Sequence, residues 1–412
     1  MIQALEAYEG IVGTPVIRQL RMLGEKLKGI QVTHVNSTSE GGGVAEILFW
    51  MVPLMRDLGI DAHWKVMRGS NDFFPVTKSI HNGLQGSPAF MSSKDWEIYE
   101  RVNAENFEEL KDILQQSNIV IVHDPQPAPL LKLCENRRGK WIWRGHIDIS
   151  RPSRRVWIPF RSYVEGYDSS IFSMFQFAQP LPHPQYIIPP SIDPLSPKNI
   201  DLNESELESV RQQFKLDPKR PLLVQISRYD RFKDPIGVIE AYRMIRRVLP
   251  VQLVLAGGGA TDDPEGKGVL DEVMHASDGD PDIHVLLLPS DAHRTINALQ
   301  RLADIIIQKS IKEGFGLTVT EGLWKGKPVI GGDVGGIQLQ VVNNHTGYLV
   351  NTPEGAAHRI RFLLQHRNIM QQMGNAARQF VRENFLLTRN LREYLTLILS
   401  LHRGETKARI EV

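Results

Sequence analysis

Short apolar segments alternate with amphipathic, helix-like stretches along most of the chain, and the alternation then begins a second time. "QVTHVN" (Gln31 to Asn36) precedes a glycine run and the helix-like "VAEILFWMVPLMRDLG". "IDAHWKVM", "SNIVIVHD" (Ser117 to Asp124), "KWIWRGHIDI" (Lys140 to Ile149), "DSSIFS" and "YIIPPSID" follow. After "PPSIDPLSPKNIDLNESELESV", which is rich in Pro, Ser and Asp and poor in periodicity, the pattern restarts. It runs through "PLLVQISRYD" (Pro221 to Asp230), a helix from Pro235 to Val248, "VQLVLAGGG", "IHVLLLP", a helix from about Arg294, "ADIIIQKS", a helix from about Thr318 and "KPVIGG". Apolar strands separated by helices predict parallel sheets covered on both faces. Two such units suit a chain of 412 residues and predict an α/β protein with two doubly wound, Rossmann-like domains. The expected division is 1–195, 196–385 and a helical tail, 386–412, able to cross back to the first domain. Ligands of such sheets bind outside the carboxyl ends of the strands, so two domains facing a deep cleft would line it with these loops.

The bulk properties narrow the partners. A net charge of +1 gives no reason to expect nucleic acid or an anionic membrane surface. Cys134 is the single cysteine and cannot form an intrachain disulfide, which fits a reducing compartment. The start, "MIQALEAYEG", has early acids and no long apolar core, so it does not read as a secretory signal. No apolar run approaches the roughly 20 residues that span a bilayer. The expectation is a cytoplasmic protein acting on small molecules; the oligomeric state is left open, a homodimer included.

Five polar stretches fall at strand ends. "STSEGGGVAEI" (Ser37 to Ile47) opens a helix after the first strand; its glycines let backbone approach a ligand, and a helix start offers N–H groups to an anion. It is neither G-x-G-x-x-G nor a P-loop. "SRYDRFKD" (Ser227 to Asp234) carries Arg228 and Lys233, which could clamp a diphosphate, although loop cations are also commonly just solvated. "EGFGLTVTE" sets Glu313 and Glu321 around Gly314 and Gly316 at the mouth of a helix: a backbone nest for phosphate, with carboxylates for sugar hydroxyls. Helix-dipole complementarity is the plain alternative for Glu321. "WRGHIDIS" and "VHDPQP" place His146, Asp148, His123 and Asp124 at strand ends, where a lone histidine is more often a satisfied structural residue. No H-x-x-x-H or C-x-x-C is present, so a dedicated metal site is not expected.

Taken in order, Arg228 and Lys233, then Glu313 and Glu321, then "GKPVIGGDVGG" resemble the retaining nucleotide-sugar glycosyltransferases of GT-B fold in family 4. "HVNSTSEGGGVAEIL", "VHDPQP", "WRGHIDIS" and "PPSIDPLSPKN" are further similar to the trehalose glycosyltransferring synthases within it. Asp234 stands where that family commonly has glycine after the lysine.

The resemblance implies transfer of glucose from a nucleoside-diphosphate glucose, such as ADP-glucose or UDP-glucose, to free glucose, giving trehalose with no required cofactor or metal. Longer fungal-type trehalose phosphorylases share this core and form the nearest alternative. Another acceptor, or an inactive sugar-nucleotide-binding protein on the same scaffold, is the next. By resemblance Arg228 and Lys233 neutralise the diphosphate, Glu313 holds donor-sugar hydroxyls and Glu321 the ribose. Gly314, Phe315, Gly316 and Leu317 meet sugar and phosphates through their backbone, and Gly42 and Gly43 line the opposite phosphate side. His146 lies near the sugar's C6 hydroxyl, and Asp124, Gln126 and Asp148 are the expected acceptor-side residues.

Overall fold

The computed structural model describes residues 4–40, 42–258 and 264–404. They form two compact units, one reaching Ser191 and resuming at Leu387, the other spanning Ile192–Leu386.

The first unit holds six strands: β1 (Gln31–Asn36), β2 (Asp61–Val66), β3 (Ile119–His123), β4 (Lys140–Arg144), β5 (Ser169–Phe172) and β6 (Gln185–Ile187). They pair in the order β2-β1-β3-β4-β5-β6, and every pairing is parallel. The continuous apolar run of β3 is buried along its whole length, as a strand covered on both faces requires. The register sets His34 opposite Ile121, and Ile121 opposite Ile142. The C-terminal helix Leu387–His402 packs on helices Thr14–Lys26 and Gly43–Asp57 of this unit. Its first turns hold the chain leaving β6: Arg389 Nη2 donates to the carbonyls of Pro189 and Pro190 at 2.8 and 3.0 Å, and Asn390 Nδ2 to Pro189 at 2.9 Å.

The second unit contains β7 (Leu222–Ile226), β8 (Gln252–Gly257), β9 (Ile283–Leu287), β10 (Ile305–Gln308), β11 (Val329–Gly332) and β12 (Gly347–Val350). Its order, β12-β11-β10-β7-β8-β9, is all parallel and is the 3-2-1-4-5-6 order of dinucleotide-binding folds read within the unit. The apolar faces of β7, β8 and β10 meet helices Pro235–Arg246 and Pro353–Gln365 in a core that includes Leu223, Tyr242, Leu253, Ile305 and Ile360.

Two features depart from the sequence reading. β12 was not anticipated, because "GYLV" follows the turn-forming "NNHT" and is only four residues long. The aperiodic stretch after Ser191 is fixed to the second unit instead of running free. Asn199 is buried; its carbonyl accepts from Arg301 Nη2 at 3.1 Å and Trp324 Nε1 at 3.3 Å, and its Oδ1 from Lys325 Nζ at 3.0 Å. Helix Glu204–Gln213 then starts at a capping box in which Asn203 and Glu206 each accept the other's backbone N–H at 3.0 Å.

Candidate active site

In the second unit the strand order reverses between β7 and β10, the position where such sheets open a crevice. The loops leaving these strands are tied together, Ile311 N–H donating to the Phe232 carbonyl at 2.9 Å. Lys233 Nζ lies 2.5 Å from Glu313 Oε2, with both side chains mostly shielded from solvent at 18% and 11% exposure. Ser310 Oγ is 3.4 Å from the same carboxylate oxygen. Gln225 Nε2 donates to the Lys233 carbonyl at 2.8 Å and fixes the backbone from which the lysine projects. Arg228 belongs to the same loop, but its side chain is 57% exposed, with Asp230 at 3.7 Å.

Asp234 shows how the chain manages without a glycine after Lys233. It adopts the left-handed conformation, φ 49° and ψ 52°, which costs an L-residue energy but is comparatively accessible to Asp. Its carboxylate accepts the Gly237 N–H at 3.1 Å, capping helix Pro235–Arg246, and pairs with buried Lys309.

The loop from Glu313 to Gly316 is shaped by glycines. Gly316 has φ 83° and begins helix Leu317–Trp324. At Gly336 a Cβ would stand 2.4 Å from Phe315 Cα and 2.6 Å from the Gly314 carbonyl oxygen, so only glycine lets the two segments lie this close. Gln340 Nε2 donates to the carbonyls of Phe315 and Gly336 at 2.6 and 3.2 Å and holds the loop on that turn. Glu321 is the fifth residue of its helix, past the first turn, so dipole complementarity does not account for it. It is 1% exposed, accepts from Gln300 Nε2 at 3.0 Å and lies 3.9 Å from Lys198 Nζ.

The first unit reverses its strand order between β1 and β3. Gly42 is the N-cap of helix Gly43–Asp57, extended at φ −140°, and as a glycine it supplies no side-chain cap to the first N–H groups. Gly41 lies outside the described residues. After β3, Asp124 takes φ 64°; its N–H donates to the Arg144 carbonyl at 2.8 Å and its Oδ1 accepts the His146 N–H at 2.8 Å. Burial pushes its carboxyl up to about 6, against the pull of that hydrogen bond and of Arg144. The Gln126 carbonyl accepts from Asn103 Nδ2 at 3.1 Å, while its Oε1 is buried without a hydrogen-bond partner among the described residues. Asp148 Oδ1 accepts the Ser150 N–H at 2.9 Å in the loop after β4.

His146 does not stand alone. Its Nε2 is 2.9 Å from His123 Nδ1, and His123 Nε2 is 3.0 Å from His34 Nδ1. The rings stack at 5.2 and 5.3 Å, stepping from the loop after β4 to β3 to β1. Burial lowers all three pKa values, that of His34 to about 3, and the Arg144 guanidinium further disfavours a proton on His123 and His146. A small pocket beside the chain is lined by His123, His146, Arg144, Asn390 and Tyr394, among others. Sequence reasoning had placed His123 at a strand end but missed His34, Arg144, Ser310, Gln300 and Gln340 as contributors. Sheet order sets His34 beside His123, and helix packing brings Gln300 to Glu321.

Two parallel α/β units, each with polar loops gathered at its switch point, have the architecture of a GT-B glycosyltransferase. Trehalose-6-phosphate synthase OtsA superposes with a TM-score of 0.74 over 90% of this chain and 99% of that one, at 12% identity, a likeness of fold. Residues 34–179 match the family model "Trehalose synthase, N-terminal domain", and residues 207–380 match "Glycosyl transferases group 1". The trehalose synthase of Thermococcus litoralis is 45% identical over 96% of this chain and 97% of its own length. That of Rubrobacter xylanophilus is 42% identical over 97% of each. The chain belongs to the trehalose synthase family of glycosyltransferases. Among the described residues no helix is long and apolar enough to cross a membrane, and no group of three or more His, Cys, Asp or Glu is gathered as for a metal ion.

Proposed function

We propose that the protein transfers glucose from a nucleoside-diphosphate glucose to free glucose, with retention, to give α,α-linked trehalose. The observation that carries this reading is the Lys233–Glu313 pair at the β7/β10 switch point, in a chain so similar to trehalose synthases. In the reaction the bond from the anomeric carbon to the phosphate oxygen breaks, and negative charge grows on the departing diphosphate. Lys233 and Arg228 meet that charge, and no resident metal is invoked. A preorganised donor of this kind lowers the barrier by about 2.7–4 kcal/mol. Glu313 takes hydroxyls of the transferred sugar and Glu321 those of the ribose, each as a carboxylate acceptor. A departing phosphate oxygen removes the proton of the acceptor hydroxyl, whose oxygen forms the new bond on the same face. No protein nucleophile is needed. Asp124, Gln126, Asp148 and His146 serve the sugars from the first unit; Gly42 and Gly43, at a helix start, serve phosphate.

The test is to incubate the purified protein with glucose and ADP-glucose or UDP-glucose, with and without EDTA. The expected result is trehalose and nucleoside diphosphate in equal amounts, unaffected by the chelator. Nucleoside diphosphate without disaccharide would overturn the acceptor. Glucose 1-phosphate formed from trehalose and phosphate, with no nucleotide dependence, would overturn the donor.

A further inference from the structure

The imidazoles of His34, His123 and His146 form one hydrogen-bonded row, and its ends differ. At one end, His34 is fully buried and its Nε2 has no hydrogen-bond partner among the described residues. At the other, His146 is only half-buried, and its Nδ1 is the ring nitrogen that His123 leaves unused. Burial keeps each ring neutral, and the buried Arg144 guanidinium, whose Nε and Nη1 find no hydrogen-bond partner among the described residues, adds positive charge nearby. Tyr394, on the C-terminal helix, faces His34, and Asp124 accepts the backbone N–H of His146.

Proton counting then gives a direction. Three neutral rings carry three N–H groups. The two contacts inside the row each use one, so the third N–H must stand at one end. On His34 Nε2 it would be a buried donor with nothing to receive it, which incurs the full desolvation penalty of that group. An unmet lone pair there is the smaller penalty, as it is for backbone groups, where an orphaned buried N–H is rarer than an under-satisfied acceptor. The row therefore runs from His34 Nδ1–H to His123 Nε2, and from His123 Nδ1–H to His146 Nε2.

We infer that His34 and His123 are positioning residues that hold His146 in the Nδ1-protonated tautomer, so that it presents a neutral N–H donor to a sugar oxygen and does not act as a base. The sugar-facing part rests on the proposed glucosyl transfer; the tautomer part does not. A tautomer set by the bond at the other ring nitrogen is the ordinary way a protein chooses between the two.

The experiment reads the tautomer directly, by histidine-nitrogen NMR of isotope-labelled full-length protein, with His146→Ala used to assign the signal. The expected result is His146 protonated on Nδ1; a proton on Nε2 overturns the row. Kinetics supply the second readout. His123→Asn can still donate from the Nδ1 position, whereas His123→Leu cannot. Turnover should fall about tenfold or more in His123→Leu, with KM nearly unchanged, and recover substantially in His123→Asn. Equal loss in both variants overturns the positioning role. Should His123→Leu fail to fold, the wild-type NMR result still decides. Wild-type activity in His146→Ala would overturn the sugar-side half alone.

Discussion

Lys233 and Glu313 meet as a charged pair at the ends of β7 and β10, whereas His34, His123 and His146 meet as neutral rings along β1, β3 and the loop after β4. Both arrangements answer the same difficulty, since an isolated charge in a water-poor place is costly. The lysine site answers it by pairing, the histidine row by keeping protons off. The difference bears on what each can offer a substrate. A lysine paired with a carboxylate can exchange part of that pairing for an incoming diphosphate. A row of neutral rings has no charge to give, and suits hydroxyl groups. This division fits a donor handled by the second unit and a sugar hydroxyl met by the first.

The sharpest way to break the comparison is Lys233→Ala. If the lysine is the charge that the leaving diphosphate meets, turnover falls by two orders of magnitude or more, about 2.7–4 kcal/mol of barrier. The folded state should persist, checked by circular dichroism and thermal melting. Near-normal turnover would mean that the charged pair is only structural, and the contrast with the histidine row would lose its functional sense.

His34→Asn probes the other side through acid stability. The folded-state pKa of His34 is lowered to about 3 by burial, while the unfolded value is near 6.5. The sign follows: between these values the unfolded chain takes up a proton that the folded protein refuses, so stability is lost as pH falls from about 6.5 toward 3. Asparagine does not titrate and removes that loss. His123, His146, Arg144 and Tyr394 around it remain in both proteins. The stability gap between wild type and variant should therefore narrow by about 2 kcal/mol from about pH 7.5 to about pH 5, measured by urea unfolding. A gap independent of pH would show that the ring is not held neutral by burial.

Much of the scaffold could be read before the structure, and the reason is physical. Strands buried on both faces must be apolar, and their loops must be polar, so "SNIVIVHD" and "PLLVQISRYD" announce both the element and a candidate site. Lys233 and Glu313 were legible as candidates on these grounds, though not their contact. The histidine row was harder to see. His34 and His123 are 89 residues apart, and nothing local says that β3 lies beside β1 and β4. Nor does local pattern show that Asp234 can replace a glycine, because that depends on Lys309, 75 positions away. Glu321 carries a different lesson. Its place five residues into a helix could be counted, but its burial against Gln300 depends on how helix His293–Leu302 packs.

Ser310→Ala gives the smallest expected effect and refines the comparison most finely. The hydroxyl lies 3.4 Å from Glu313 Oε2, at the long end of hydrogen bonding, while Lys233 holds the same oxygen at 2.5 Å. A charge-assisted bond at the shorter distance outweighs a stretched neutral one. Removing the hydroxyl should lower turnover only a few-fold, about 0.5–1 kcal/mol, as for an ordinary hydrogen bond. Steady-state kinetics of Ser310→Ala beside Lys233→Ala would measure the two holds on one carboxylate. If the serine variant lost as much as the lysine variant, Glu313 would be oriented by a hydroxyl, and the second unit would resemble the first in relying on neutral groups.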